Sequence, residues 1–249
     1  MKTTRESAPN LRGRVVMVTG ASGGLGQAMA ARLADAGARL VLTARDPQRL
    51  ERLGEALPGE SLTVPADVRD PAAVSGVVAA AWNRFGVIDA LVNNAGLMVG
   101  DIPLAETNAE LWARILETNL SGAFYCAQAV LPEMRRRGAG TIINITSGAA
   151  VRTGFLNVPY GVSKAGLDRL TLAIAAEAHA DGVHCVSLSP SVSATETVRQ
   201  IYPEQNVDNW AAPPEETASA VLGLLTGGAA AYSGKVVSVR EYLAADRTS

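Results

Sequence analysis

Apolar residues fall along this chain in two rhythms. Short unbroken runs at 15–18 (VVMV) and 40–42 (LVL) leave no position facing water, the pattern of strands covered on both faces. Further short runs at 61–64, 90–92, 141–145, 183–188 and 235–239 continue the series. Between them, stretches at 24–36, 47–57, 71–85, 109–137, 160–180 and 214–225 read as helices. Local chemistry supports several of these starts. Asp46-Pro47 and Asp70-Pro71 each place a cap acceptor before a proline in the first turn, and Thr107 with Glu110 has the spacing of a capping box. Seven strands alternating with six helices predict an α/β fold, a doubly wound parallel sheet with helices on both faces.

Composition narrows the class. The 249 residues are 48% hydrophobic and 18% charged, unlike a disordered chain, and are enough to bury a core without staples. A net charge of −2 leaves no basic footprint, so neither nucleic acid nor an anionic membrane is expected as a partner. Cys126 and Cys185 each lie in apolar segments and read as reduced core residues. The two histidines, His179 and His184, add no case for a metal. Residues 1–14 lack the apolar centre of a signal peptide, and no run reaches the roughly 18 apolar residues of a spanning helix, so a cytoplasmic protein is expected. No linker or repeat divides the chain. Residues 1–249 are read as one domain, and the small residues at 227–231 as a loop.

Directly after the first apolar run comes Thr19-Gly-Ala-Ser-Gly-Gly-Leu-Gly26, opening a helix. Glycines there permit a tight turn and close approach of backbone to phosphate, and the helix N-terminus offers free N–H groups and a favourable dipole. This TGxxxGxG spacing resembles that of the short-chain dehydrogenase/reductase family, whose members are Rossmann-fold oxidoreductases using NAD or NADP. Asp46 stands twenty residues after Gly26, where an acid would select NAD, but its capping role competes for the carboxylate. In the family the selecting acid stands where this chain has Ala44, followed by Arg45, a cation suited to a 2′-phosphate. NADP is the expected cofactor, with NAD as the alternative.

A second constellation strengthens the resemblance. Tyr160 and Lys164 (YGVSK) lie one turn apart on one helix face, and Ser147 follows the run 141–145 at a strand's C-terminal end. Asn93-Asn-Ala-Gly96 follows the run 90–92, and Asn119 sits inside a long helical stretch where asparagine is a poor helix former. TGASGGLG, NNAG, Asn119, Ser147 and YGVSK occur in the family's order over about residues 12–240. The resemblance implies that Tyr160 exchanges a proton with the substrate oxygen and that Ser147 orients that oxygen. It also implies that Lys164 lowers the Tyr160 pKa and holds the nicotinamide ribose, while Asn119 supports a water relay. Bringing a tyrosine from about 10 to near 7 needs roughly 4 kcal/mol. The residues it assigns to the cofactor are Gly20, Ser22, Gly23, Gly24, Leu25, Gly26, Arg45, Asp67, Val68, Asn93, Ala95, Gly96, Tyr160, Lys164, Pro190, Val192 and Thr195.

Two departures stand out. Ser191 follows Pro190 where the family commonly has glycine, a steric cost if that position needs positive φ. The C-terminal Arg240-Glu-Tyr-Leu replaces a segment many members use in tetramer packing; the resemblance implies a homo-oligomer, dimer or tetramer, and this departure counts against the tetramer. A substrate lid is expected around 195–212, with Ile201, Tyr202 and Trp210 either meeting substrate or packing the lid down, and Phe155 lies near the same pocket. The function implied is hydride transfer between NADP(H) and a small carbonyl or secondary alcohol, as a carbonyl reductase. The alternatives are an NAD-dependent alcohol dehydrogenase and a non-catalytic cofactor-binding regulator.

Overall fold

In the computed structural model, which describes residues 10–152 and 157–246, the apolar runs form one seven-stranded sheet. Its strands are β1 (Val15–Thr19), β2 (Arg39–Thr43), β3 (Ser61–Thr63), β4 (Ala90–Asn93), β5 (Gly140–Ile145), β6 (Val183–Ser189) and β7 (Val236–Ser238). All pair in parallel in the order β3-β2-β1-β4-β5-β6-β7. The order reverses between β1 and β4, so a crevice opens there beyond the strand C-termini.

Two-sided burial explains the unbroken runs. Val16, Val18, Leu40, Leu42, Val92, Ile143 and Leu188 join one core layer, while Val15, Met17, Val41, Leu91, Ile142 and Cys185 join the other. The first layer is closed by α1 (Gly24–Asp35) and α8 (Pro214–Gly223) and the second by α3 (Pro71–Phe85), α5 (Gly122–Arg137) and α6 (Val158–Ala178). Each fully buried aliphatic side chain contributes about 1.5–3 kcal/mol. Asp46 and Asp70 cap α2 (Pro47–Ala56) and α3 as expected, accepting from Arg49 N and Ala72 N.

Several boundaries differ from the sequence expectation. The cap of α4 (Ala109–Leu116) is Asn108, which accepts from Leu111 N at 2.8 Å, while the Thr107 hydroxyl turns back to Pro103 O. The stretch 109–137 is helical throughout but not regular, because a π-turn over Glu117–Ser121 joins α4 to α5 with the backbone right-handed at both junctions. Residues 227–231 are not a plain loop. The chain kinks at Gly227 (φ +141°) and then forms the short helix α9 (Ala229–Tyr232). The unusual C-terminal residues form α10 (Val239–Asp246), whose Tyr242 meets Tyr232 edge-on. Among the described residues no helix is long and apolar enough to cross a membrane.

Candidate active site

The glycine turn lies at the β1–β4 switch point and is shaped by what surrounds it. Gly20 has φ +62°, and a Cβ there would come 2.7 Å from Ala95 Cα. Glycine is therefore required twice, by conformation and by space. Thr19 and Asn94, which sequence reasoning did not single out, lock this contact. The Thr19 hydroxyl accepts from Asn94 N and Ala95 N, both at 3.0 Å, and Asn94 Nδ2 donates to Thr19 O and Gly20 O. Ser22, Gly23, Gly24, Leu25 and Gly26 carry the chain into α1, whose cap residue Gly23 supplies no side-chain acceptor. The first N–H groups of α1 thus face the crevice without a side-chain cap, and the dipole favours an anion.

Thr195 closes the other side of this turn. A Cβ on Gly24 would meet the Thr195 side chain at 2.8 Å. Thr195 caps α7 (Glu196–Ile201), and Glu196 pairs with Arg49 at 2.9 Å, tying α7 to the start of α2. The ends of the 195–212 segment are clamped together, with Ala194 N donating to Ala212 O and Ala212 N to Val192 O. Within it Tyr202 packs edge-on against Trp210, and Arg199 pairs with Asp208. These two aromatics therefore hold the segment's own shape. Ser191 carries no backbone strain, since among the described residues every positive φ belongs to glycine. Pro190 is half-buried and Val192 exposed. Phe155 lies outside the described residues.

At the far end of the crevice the candidate selectors gather. Arg45 is exposed after buried Ala44, and its charge acts on Asp67. Asp67 is gripped by Arg69, a residue the sequence reading overlooked, through Nε and Nη2 at 3.0 and 2.7 Å, which holds its carboxyl below the usual range. Val68 is buried against Gly122 at the start of α5. The Asn93 side chain is buried and donates to Ala123 O and Asn144 Oδ1, so it supports the sheet from within. Ala95 and Gly96 follow it into the crevice.

Ser147 lies two residues past β5 and accepts from Ala149 N, and its hydroxyl also acts on the Tyr160 phenol. Asn157 caps α6 by accepting from Tyr160 N, while its amide donates to Val99 O at 2.8 Å. This residue too was missed; its partner lies 58 positions away. One turn into α6, the buried Lys164 donates through Nζ to Ile145 O at 2.8 Å and sits 5.7 Å from the Tyr160 ring centre. Burial pulls the Lys164 ammonium down to about 8, against the opposing field of Asp168. Burial raises the Tyr160 phenol and Ser147 acts downward on it, while the Lys164 ammonium donates to a carbonyl.

Asn119 explains the π-turn. Its Oδ1 accepts from Leu97 N at 2.6 Å and its Nδ2 donates to Leu97 O and Ser163 Oγ at 3.0 Å. A side chain committed to both polar groups of one distant residue stabilises the widened turn that aims it. Asn119 Oδ1 and Lys164 Nζ flank Gly96, 3.6 and 3.7 Å from where a Cβ would stand. A phenol, a hydroxyl and an ammonium thus converge at the strand C-termini, beside a glycine cradle whose open helix end fits a dinucleotide pyrophosphate.

The family model for short chain dehydrogenase matches residues 14–206. The chain belongs to the short-chain dehydrogenase/reductase family. Its nicotinamide dependence and oxidoreductase class follow from that membership. Among relatives of this dehydrogenase/reductase is a Streptomyces violaceoruber protein named as ketoacyl reductase 1 of the granaticin polyketide synthase. It is 37% identical over 237 residues, 93% of this chain and 86% of that one. The Vibrio cholerae 3-oxoacyl-(acyl-carrier-protein) reductase FabG is 32% identical over 92% of this chain and 97% of its own. The crystal structure of levodione reductase superposes with a TM-score of 0.85 at 31% identity, covering 92% and 96% of the two chains. A Brucella melitensis 3-ketoacyl-(acyl-carrier-protein) reductase complexed with NADH matches with TM-score 0.85 at 28% identity, covering 92% and 98%.

Proposed function

We propose that this single-domain short-chain dehydrogenase/reductase reduces a carbonyl compound to a secondary alcohol with NADPH, with 3-oxoacyl compounds the first class to test. The observation that carries the reading is the Ser147 hydroxyl acting on the Tyr160 phenol, with Lys164 one turn below. Bound NADPH supplies the hydride. Tyr160 donates its phenolic proton to the substrate oxygen, and its raised pKa, caused by burial, keeps that proton in place at neutral pH. Ser147 donates to the same oxygen and orients it. The Lys164 ammonium favours the phenolate left behind and reaches toward the nicotinamide ribose beside Gly96. Asn119 fixes the Leu97 peptide, keeping the floor of the site in register and serving a proton path from Lys164.

The turn from Gly20 to Gly26 would hold the pyrophosphate, Asp67 and Val68 the adenine, and Ala95 and Gly96 the ribose, with Pro190, Val192 and Thr195 closing over the nicotinamide. Arg45 supports NADP, because Asp46 is spent as a cap and Ala44 offers no acid to a 2′-hydroxyl. NADH is the second reading, favoured by the NADH held by the Brucella relative. The 195–212 segment acts as the lid, and the molecule works in the cytoplasm as a homo-oligomer.

A panel of ketones, including a 3-oxoacyl thioester, followed by loss of reduced-nicotinamide absorbance, tests the reading. Tyr160→Phe is expected to lower kcat by about a thousandfold or more while cofactor affinity stays within a few-fold. Turnover that survives the substitution overturns it.

A further inference from the structure

We propose that Asp168 is a positioning residue for the acid–base pair: a buried carboxylate, one turn beyond Lys164 on α6, that holds the Lys164 side chain as an ammonium ion. The inference rests on the acid–base reading of Tyr160 and Lys164 above and extends it to a residue that touches neither substrate nor cofactor.

Asn93, Asn144 and Ser187 share one register row across β4, β5 and β6, under α6, in a layer otherwise built from Leu91, Ile142 and Cys185. Hydrocarbon would fill that row without a desolvation cost. Instead the row carries linked polar side chains. Asn93 Nδ2 donates to Asn144 Oδ1 at 2.9 Å, and Asn144 Nδ2 donates to Thr171 Oγ1 at 2.8 Å. Thr171 and Ser187 share a 2.8 Å hydroxyl contact, and the Ser187 side chain acts to hold the Asp168 pKa down. Thr171 Oγ1 donates its single proton to Leu167 O at 3.0 Å, so Ser187 is the donor across the contact between them. Thr146, just past β5, acts on the carboxyl in the same direction, its hydroxyl donating to Lys164 O at 3.4 Å. The row thus sets hydroxyls beside the buried Asp168 carboxyl, and they favour its ionised form.

Hydrogen bonding does not account for the whole cost of that charge. Asp168 is 8% exposed, and its Oδ1 is buried without a hydrogen-bond partner. A buried carboxylate left half-satisfied is unfavourable unless an opposite charge offsets it. That charge is on Lys164, four residues back on the same helix face. Around Lys164 the other facing groups are neutral: the Ile145 carbonyl from β5, Asn119 and Gly96 from the neighbouring segments, and the Tyr160 phenol from α6. Around Asp168 they are Thr146 and Ser187. Burial pulls Lys164 down to about 8 and pushes Asp168 up, and each acts on the other in the opposing direction.

The sequence contains three lysines, Lys2, Lys164 and Lys235, so the full-length protein labelled with ε-13C-lysine gives a spectrum in which Lys164 can be assigned by substitution. In the wild type the Lys164 signal is expected to titrate at about 8. Asp168→Asn is expected to move that midpoint down by roughly one unit or more, and Asp168→Glu to restore most of the loss. The alkaline limb of kcat should move the same way with the KM for the carbonyl substrate little changed, whereas a purely structural role would lower activity evenly across pH. An unchanged Lys164 midpoint in folded Asp168→Asn overturns the inference. Should that variant not fold, the wild type decides. The Lys164 signal must then show a second, smaller inflection where Asp168 protonates, above the ordinary aspartate value, and a single-step curve counts against the proposal. A protein inactive on every carbonyl would remove the oxidoreductase reading and leave the lysine titration standing. An unshifted lysine in an active enzyme would remove this inference alone.

Discussion

Replacing Lys164 should reveal a stability cost that the fold tolerates to keep a buried ammonium. Burial takes this group from an ordinary value of 10.5 down to about 8 in the folded protein. Because the folded pKa of a base is lowered, the sign is opposite to that of a surface ion pair. Below about 8 both folded and unfolded chains carry the proton, and the folded state bears the full cost. Between about 8 and 10.5 the unfolded chain keeps the proton and the folded one releases it, so stability rises with pH. Above 10.5 the cost is gone. The gap corresponds to about 3 kcal/mol, an order-of-magnitude figure because Asp168 is coupled to the same group. Lys164→Met removes the titration while keeping an unbranched side chain of similar length. Urea unfolding of both proteins, compared at intervals between about pH 7 and 10.5, isolates the group, since most other titrations cancel in the difference. The wild type should gain about 3 kcal/mol on the variant across that window. A difference that stays flat with pH refutes the claim that Lys164 is charged and desolvated in the native state.

Arg45→Ala should reduce the preference for NADPH over NADH by about tenfold or more with little effect on NADH binding, measured as the ratio of dissociation constants. An unchanged ratio removes Arg45 from cofactor selection. Gly20→Ala should cost about 1–3 kcal/mol, since it places a side chain at positive φ and against Ala95. Thermal unfolding measures this cost, and the variant should lose the stabilisation that added cofactor gives the wild type.

What could be read in advance follows from how local each signal is. The strands were legible because their neighbours on both faces are apolar, so every position in Val15–Val18 carries the same message. Tyr160 and Lys164 were legible because a helix brings i and i+4 together without help from the rest of the fold. The same rule placed Asp168 one turn beyond Lys164, yet nothing in the chain's local pattern distinguishes a solvated aspartate from one 8% exposed. That distinction needs the β5–β6 register, which sets Ser187 beside Asn144, and the packing of α6 over both. Thr19, Asn94 and Asn157 were missed for the same reason, since their partners lie 58 to 76 residues away along the chain. The widened helical turn at Asn119 likewise has its cause in Leu97. The Asn108 cap failed differently, because adjacent Thr107 and Asn108 are both good cap formers and only the direction of the incoming chain chooses between them. The reacting groups are thus carried by short motifs, whereas what sets their charge and position is carried by polar residues paired across the sheet. A substitution at Ser187 or Asn144, outside every recognisable motif, should therefore disturb the Lys164 titration without touching the ligand-facing surface.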